Sequence, residues 1–210
     1  MLICPRKQFR RPNMSANPDN PTLIPELIIY RRLFESARED IHNLVNGLTD
    51  TQFNQRPDPE RWAIGECIDH LCVVGAHMIP VIDTGIEQAR TKNWNNDGPF
   101  TYGFLGNWFV NFAGPSENAR KRKLKAPVMY TPTSNHTISR LVKAFAELQD
   151  DFIGRVHQAN GLDLARVKIT SPVTRLIRLS LGQWFALMAG HQERHFLQAQ
   201  DTRQEIESAT

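Results

Sequence analysis

The chain has 210 residues, 40 % hydrophobic and 22 % charged, an ordinary balance for a globular domain and enough length to bury a substantial core. Its formal net charge of +3 comes from the N-terminus, where Arg6, Lys7, Arg10 and Arg11 stand without acids; from Ser15 onward 22 acidic residues face 21 basic ones. Bulk charge therefore makes no case for nucleic acid. No apolar run approaches the ~20 residues of a membrane-spanning helix, and cysteines at positions 4, 67 and 72 without a signal peptide point to a reducing cytoplasm.

Residues 1–20, rich in Pro, Asn and Arg, read as a disordered leader, with Met14-Ser-Ala as an alternative start; residues 21–206 read as one domain. The first helix is expected from about Leu23 to Asn46. Leu27, Phe34, Ala37, Ile41, Leu44 and Leu48 step by three, four or seven, as a buried stripe does, and Asn46-Gly47 supplies a stop. The second follows RPDPERW, from about Ala63 towards Arg90, on the stripe Ile64, Ile68, Leu71, Gly75, Met78 and Ile82. Pro80, which has no N–H and crowds the preceding turn, is expected to kink or divide it.

A long connection, from Thr91 to Pro132, carries seven of the chain's 18 aromatics between Trp94 and Phe112. Within FTYGFLGNWFVNFAG, Phe104, Leu105, Trp108, Phe109 and Phe112 are expected on one face of a short helix, either a cap over one end of the core or an aromatic wall over a site. ARKRKLK, residues 119–125, puts five cations in six positions. Without interleaved aromatics it reads as a solvated segment rather than a grip for bases.

The third helix follows TPTSNHT, with Ile138, Leu141, Phe145, Leu148, Phe152 and Val156 as its stripe, and ends before Asn160-Gly161. The fourth opens on Ser180-Leu-Gly-Gln183, the S-x-x-Q capping box, and continues to about Ile206. No strands are expected, because Val167–Thr170 is too short to show alternation. The fold class is therefore all-α.

The fourth helix poses a chemical question. Trp184, Met188, His191, His195 and Gln198 form a core-facing seam in which two imidazoles occupy places that leucine would pack better. Residues four apart share a face, so both rings are able to meet one ion. A third ligand has to come from another helix; the seam of the second offers His70 and His77, of which His70 is preferred because Pro80 crowds His77. Zincin-type proteolysis is excluded, since the position after His191 is Gln192, whose amide accepts no proton. His42, His136 and His157 read as surface residues.

W-x-x-x-E-x-x-x-H-L, here Trp62, Glu66, His70 and Leu71, followed by H-x-x-R-H-x-x-Q, here His191, Arg194, His195 and Gln198, resembles the DinB-like superfamily of four-helix proteins. The likeness runs from about Leu23 to Gln204, with Ala63 standing where relatives often place Ser as a helix cap. It implies an up-up-down-down four-helix bundle, a homodimer, and a divalent metal ion, Zn or Ni before Fe or Mn, held by His70, His191 and His195. Three neutral histidines leave an ion at least one open position, as a catalytic site requires. The activity implied is that of a thiol S-transferase or a hydrolase, in which the ion activates a small thiol or water. Glu66, one turn before His70, is positioned to orient it or to act as a base. The alternative is a non-catalytic, stress-related helical module that binds a metal or small ligand. The expected partners are a small-molecule substrate and a low-molecular-weight thiol, with no membrane; a nucleic-acid role through residues 120–125 is the weakest of the readings.

Overall fold

The computed structural model describes residues 22–114 and 125–208, and all statements below concern these. The leader and residues 119–124 of the basic run lie outside them. The chain forms six α-helices: α1 (Pro25–Val45), α2 (Asp50–Asn54), α3 (Ile64–Thr91), α4 (Phe104–Ala113), α5 (Ile138–Gln158) and α6 (Leu181–Ser208). A 3-10 turn covers Val128–Tyr130, and two short strands, β1 (Lys168–Thr170) and β2 (Arg178–Ser180), complete the elements.

Each long helix forms where an apolar stripe meets a local start signal. Pro25 opens α1 at a position whose N–H has no partner in any helix, and Leu27, Phe34, Ala37, Ile41 and Leu44 are buried as expected. At the start of α3, Ala63 has no side-chain acceptor, so only one arm of a capping box exists there: its N–H donates to Glu66 Oε2 at 2.9 Å. The box at α6 is likewise one-armed, since the Ser180 N–H and hydroxyl both donate to Gln183 Oε1, at 3.1 and 2.9 Å. A complete box holds the short helix α2, which the periodic stripes do not reveal: Gln52 N–H donates to Thr49 Oγ1 and Thr49 N–H to Gln52 Oε1.

Three expectations are corrected. Pro80 does not divide the second helix, which runs unbroken from Ile64 to Thr91; packing of both of its halves outweighs the one missing hydrogen bond. Strands do exist, as an antiparallel hairpin pairing Lys168 with Ser180 and Thr170 with Arg178. β1 buries Ile169 alone and β2 buries Leu179 and Ser180 together, so neither reads as alternation. The direction of the long helices also departs from up-up-down-down. The start of α1 meets the end of α5, where Ile24 N–H donates to Asn160 Oδ1. The ends of α1 and α6 meet, where Arg203 donates to the carbonyls of Leu44 and Asn46. Helices α3 and α5 advance together, from Asp69 and Thr133 to Asp83 and Arg155. The order is therefore up-down-down-up.

Helices α1 and α3 each pack against α5 and α6. Their apolar side chains form two clusters rather than one. The larger holds Leu27, Phe34, Met78, Ile82, Phe152 and Phe185; the smaller holds Ile41, Phe53, Ile68, Phe145, Phe196 and Ile206. Helix α3 has the length and hydropathy of a membrane-spanning helix, but most of that stretch is buried inside the protein. On α6, His191 and His195 lie between Ala189 of the larger cluster and Phe196 of the smaller, and α3 brings His70 to them from the edge of the smaller cluster, one residue before Leu71.

Candidate metal centre

The three imidazoles converge. His70 and His195 are buried and His191 partly so, and one ring nitrogen from each lies within 4.8 Å of the other two. His191 and His195, one helical turn apart, have ring centroids 4.6 Å from each other, and the His70 ring lies 5.2 and 4.6 Å from them. His70 Nε2 is 3.1 Å from His191 Nε2. A tetrahedral ion bound at ~2.05 Å separates its donor nitrogens by ~3.3 Å, so this pair is close to the spacing an ion demands. His77, the alternative on α3, is exposed and sits beside the Tyr130 ring instead.

Neighbouring groups set the direction of the rings. His70 Nδ1 lies 2.7 Å from the carbonyl oxygen of Tyr130. A carbonyl only accepts, so Nδ1 carries the proton and the Nε2 lone pair turns towards His191. Trp62 closes the other side, its ring 4.9 Å from that of His70 and 5.7 Å from that of His195. His195 Nδ1 is buried with no hydrogen-bond partner, a state that costs a folded protein about 1–3 kcal/mol when nothing compensates.

Charge keeps the rings neutral. Burial, then the proximity of His70 and of Arg194, pushes the His191 pKa down to about 3. Burial also carries His195 well below its ordinary value, helped by both other histidines and Arg194 and opposed by the Gln198 side chain. For His70 burial outweighs the opposing pull of the Tyr130 carbonyl and Asp69. Three uncharged imidazoles facing one point, with one buried nitrogen unpartnered, fit a divalent cation by geometry and by charge. His70, His191 and His195 would hold it.

Glu66 is buried beside this cluster but is committed elsewhere. Arg56 binds it through two nitrogens, at 2.8 and 2.6 Å. Ser134 Oγ donates to it at 2.6 Å and the Ala63 N–H at 2.9 Å. Burial alone would raise its pKa, but these donors outweigh it and the carboxyl stands below its ordinary value. It makes no hydrogen bond to His70; the orienting group is the Tyr130 carbonyl. Asp69 accepts from the Thr133 N–H and hydroxyl, at 2.7 and 3.0 Å. Both carboxylates thus tie the segment just before α5 to the start of α3. Cys67 is fully buried with its thiol pKa pushed up by burial, and it belongs to the smaller apolar cluster rather than to the histidines.

Sequence reasoning missed Tyr130, Arg56 and Ser134. Tyr130 acts through its backbone, so no residue type marks it; the prolines at 127 and 132 that flank its turn are the only trace. Arg56 had a signal, a cation ten residues before an acid at a helix start.

A mostly helical chain with three convergent histidines on its third and last helices defines a class, and comparison bears this out. Residues 33–199 match the DinB superfamily, and the chain belongs to it. It is 24 % identical over 180 residues to the uncharacterized protein YuaE of Bacillus subtilis (strain 168), a match covering 84 % of this chain and 99 % of that protein. No solved structure matches.

Proposed function

We propose that this DinB-superfamily chain is a metal-dependent enzyme, its four long helices forming a bundle around a divalent ion on His70, His191 and His195, and that it transfers a low-molecular-weight thiol to a small electrophile. The observation that carries the reading is the convergence of three neutral imidazoles within 4.8 Å, one with a buried nitrogen that makes no hydrogen bond. An ion held this way supplies Lewis acidity that makes a small thiol nucleophilic at neutral pH. Zn or Ni suits three imidazoles best, with Fe or Mn next.

Thiol transfer is favoured over hydrolysis by what surrounds the ligands. Attack by water is helped by a base at hand, and the two carboxylates next to His70, Glu66 and Asp69, are already occupied by Arg56, Ser134, Ala63 and Thr133. A thiol loses its proton more readily and has less need of a base. The Tyr130 carbonyl holds His70 in one tautomer, Trp62 screens His70 and His195 from one side, and Glu66 is a positioning residue that fixes the start of α3.

Elemental analysis of the purified protein tests the first half, with about one ion per chain expected and most of it lost in His191→Ala. An absence of bound metal in the native protein would end the reading. Transfer assays with several cellular thiols and a model electrophile test the second half. A loaded protein inactive with all of them would shift the conclusion to a metal-binding module without catalysis.

A further inference from the structure

Helix α4 and the β-hairpin lie away from the histidines; Gln183, which touches α4, is about 12 Å along the α6 axis from His191 at ~1.5 Å per residue. The inner side of α4 is anchored. Phe109, Val110 and Ala113 pack on the larger apolar cluster, and Gln183 Nε2 donates to the Gly103 carbonyl and to Asn107 Oδ1 at 3.3 and 3.0 Å. Gly106 permits this approach, since a Cβ there would lie 2.2 Å from Gln183 Nε2. The outer side is apolar and open: Phe104 is 81 % exposed, Leu105 79 % and Trp108 56 %. A row of this kind is unusual on a surface that meets only water.

Cations stand beside it. Gly103, Phe104, Leu105, Lys168, Arg178 and Gln183 line an open groove of about 310 Å³. Lys168 and Arg178 sit diagonally on one face of the hairpin. Like charges held together raise the free energy until an anion neutralises them; burial and then Arg178 draw the Lys168 pKa down, against a smaller opposing pull from Asp163.

We propose that this face docks on an anionic lipid bilayer, with Phe104, Leu105 and Trp108 entering the headgroup boundary and Lys168 and Arg178 meeting acidic headgroups. Charge selects the occupant. Residues 104–113 and 168–180 contain Lys168, Arg175 and Arg178 but no acid, and Asp163 is the one acid whose charge acts on Lys168, so a second copy of this face brings more cations than acids. Nucleic acid would satisfy the cations and leave Phe104 and Leu105 in water. A bilayer bearing acidic lipid satisfies both. The contact needs no spanning helix, and it runs against the expectation that no membrane takes part. It rests on different residues from the metal centre.

Co-sedimentation of the full chain with vesicles tests it. Binding is expected to phosphatidylcholine mixed with phosphatidylglycerol, weakening with salt, and not to phosphatidylcholine alone. Lys168→Gln with Arg178→Gln is expected to weaken it about fivefold per cation, and Leu105→Ala with Trp108→Ala about tenfold. Because all four side chains are exposed, both variants should keep the wild-type Tm and metal content. No binding to the mixed vesicles overturns the proposal. So does undiminished binding by both variants, which would assign the affinity to cations elsewhere in the sequence. A lipid-free dimer that Leu105→Ala with Trp108→Ala dissociates overturns it in favour of self-association.

Discussion

Arg56 and Glu66 show how one ion pair prepares the region around the ligands. The carboxylate is buried while much of the guanidinium is in solvent, so the pair is asymmetric: removing the arginine strands a charge that cannot reach water. Arg56→Ala deletes two of four hydrogen bonds to a charged oxygen pair and is expected to cost about 2 kcal/mol in urea unfolding at neutral pH. The Glu66 pKa is lowered on folding, so its contribution is fully present above the ordinary carboxylate range and is lost as pH falls through the folded value. The gap between wild type and Arg56→Ala should therefore close as pH falls below the ordinary carboxylate range; a constant gap would mean that the arginine acts by packing alone. The histidines respond to pH by the same sign rule. Their folded pKa values lie below the ordinary ~6.5, so below that pH the unfolded chain binds more protons. Chelator-treated protein should lose up to ~1.4 kcal/mol per pH unit through the His191 ring as pH drops from ~6.5 towards its folded value of about 3, and His191→Leu should show a shallower slope.

At the scale of elements, packing between α3 and α5 depends on close approach. A Cβ at Gly75 would lie 2.5 Å from both methyl carbons of Leu148, which is itself buried. Gly75→Ala is expected to cost about 1–3 kcal/mol by overpacking, and Leu148→Ala about 2–5 kcal/mol by leaving a cavity. The double variant should be more stable than the sum of the two by at least ~1 kcal/mol, because the new methyl enters the space that the leucine leaves; strict additivity would show that the two helices do not meet there. Contacts of this kind also explain what the sequence disclosed. The four long helices were legible because stripes such as Leu141–Phe145–Leu148–Phe152 repeat over several turns and admit only one period. The hairpin was not, since each strand carries only one buried apolar residue, Ile169 or Leu179. Helix α2 was overlooked although Thr49 and Gln52 carry its complete cap. Helix direction came from the family likeness rather than from any residue, and the contacts of Asn160, Arg203 and Arg155 reversed it. His70, His191 and His195 were legible because imidazoles interrupt apolar seams. The group that aims His70 was hidden because it is a peptide carbonyl.

For the whole molecule, the position of the triad between the two apolar clusters gives an ion structural weight. On α3 the smaller cluster reaches past His70 to Leu71 and the larger begins at Val74, while on α6 His191 and His195 fill the gap between Ala189 of the larger and Phe196 of the smaller; the two helices run in opposite directions and pack along their length. An ion on these rings binds the folded chain only, since no unfolded ensemble holds three imidazoles from positions 70, 191 and 195 at one point. Its binding therefore adds to global stability, by about 2.7 kcal/mol at a free concentration a hundredfold above Kd. For a domain of this size ~1 kcal/mol moves Tm by ~2–4 °C, so adding Zn or Ni to chelator-treated protein should raise Tm by about 5–10 °C. His70→Ala, His191→Ala and His195→Ala should each abolish most of the rise, whichever helix carries the change, because two remaining nitrogens no longer bridge α3 to α6 at full strength. If the rise survived in His70→Ala and vanished only in the two α6 variants, the ion would be bound by a single helix turn, and the joining of the two clusters through the metal would be wrong.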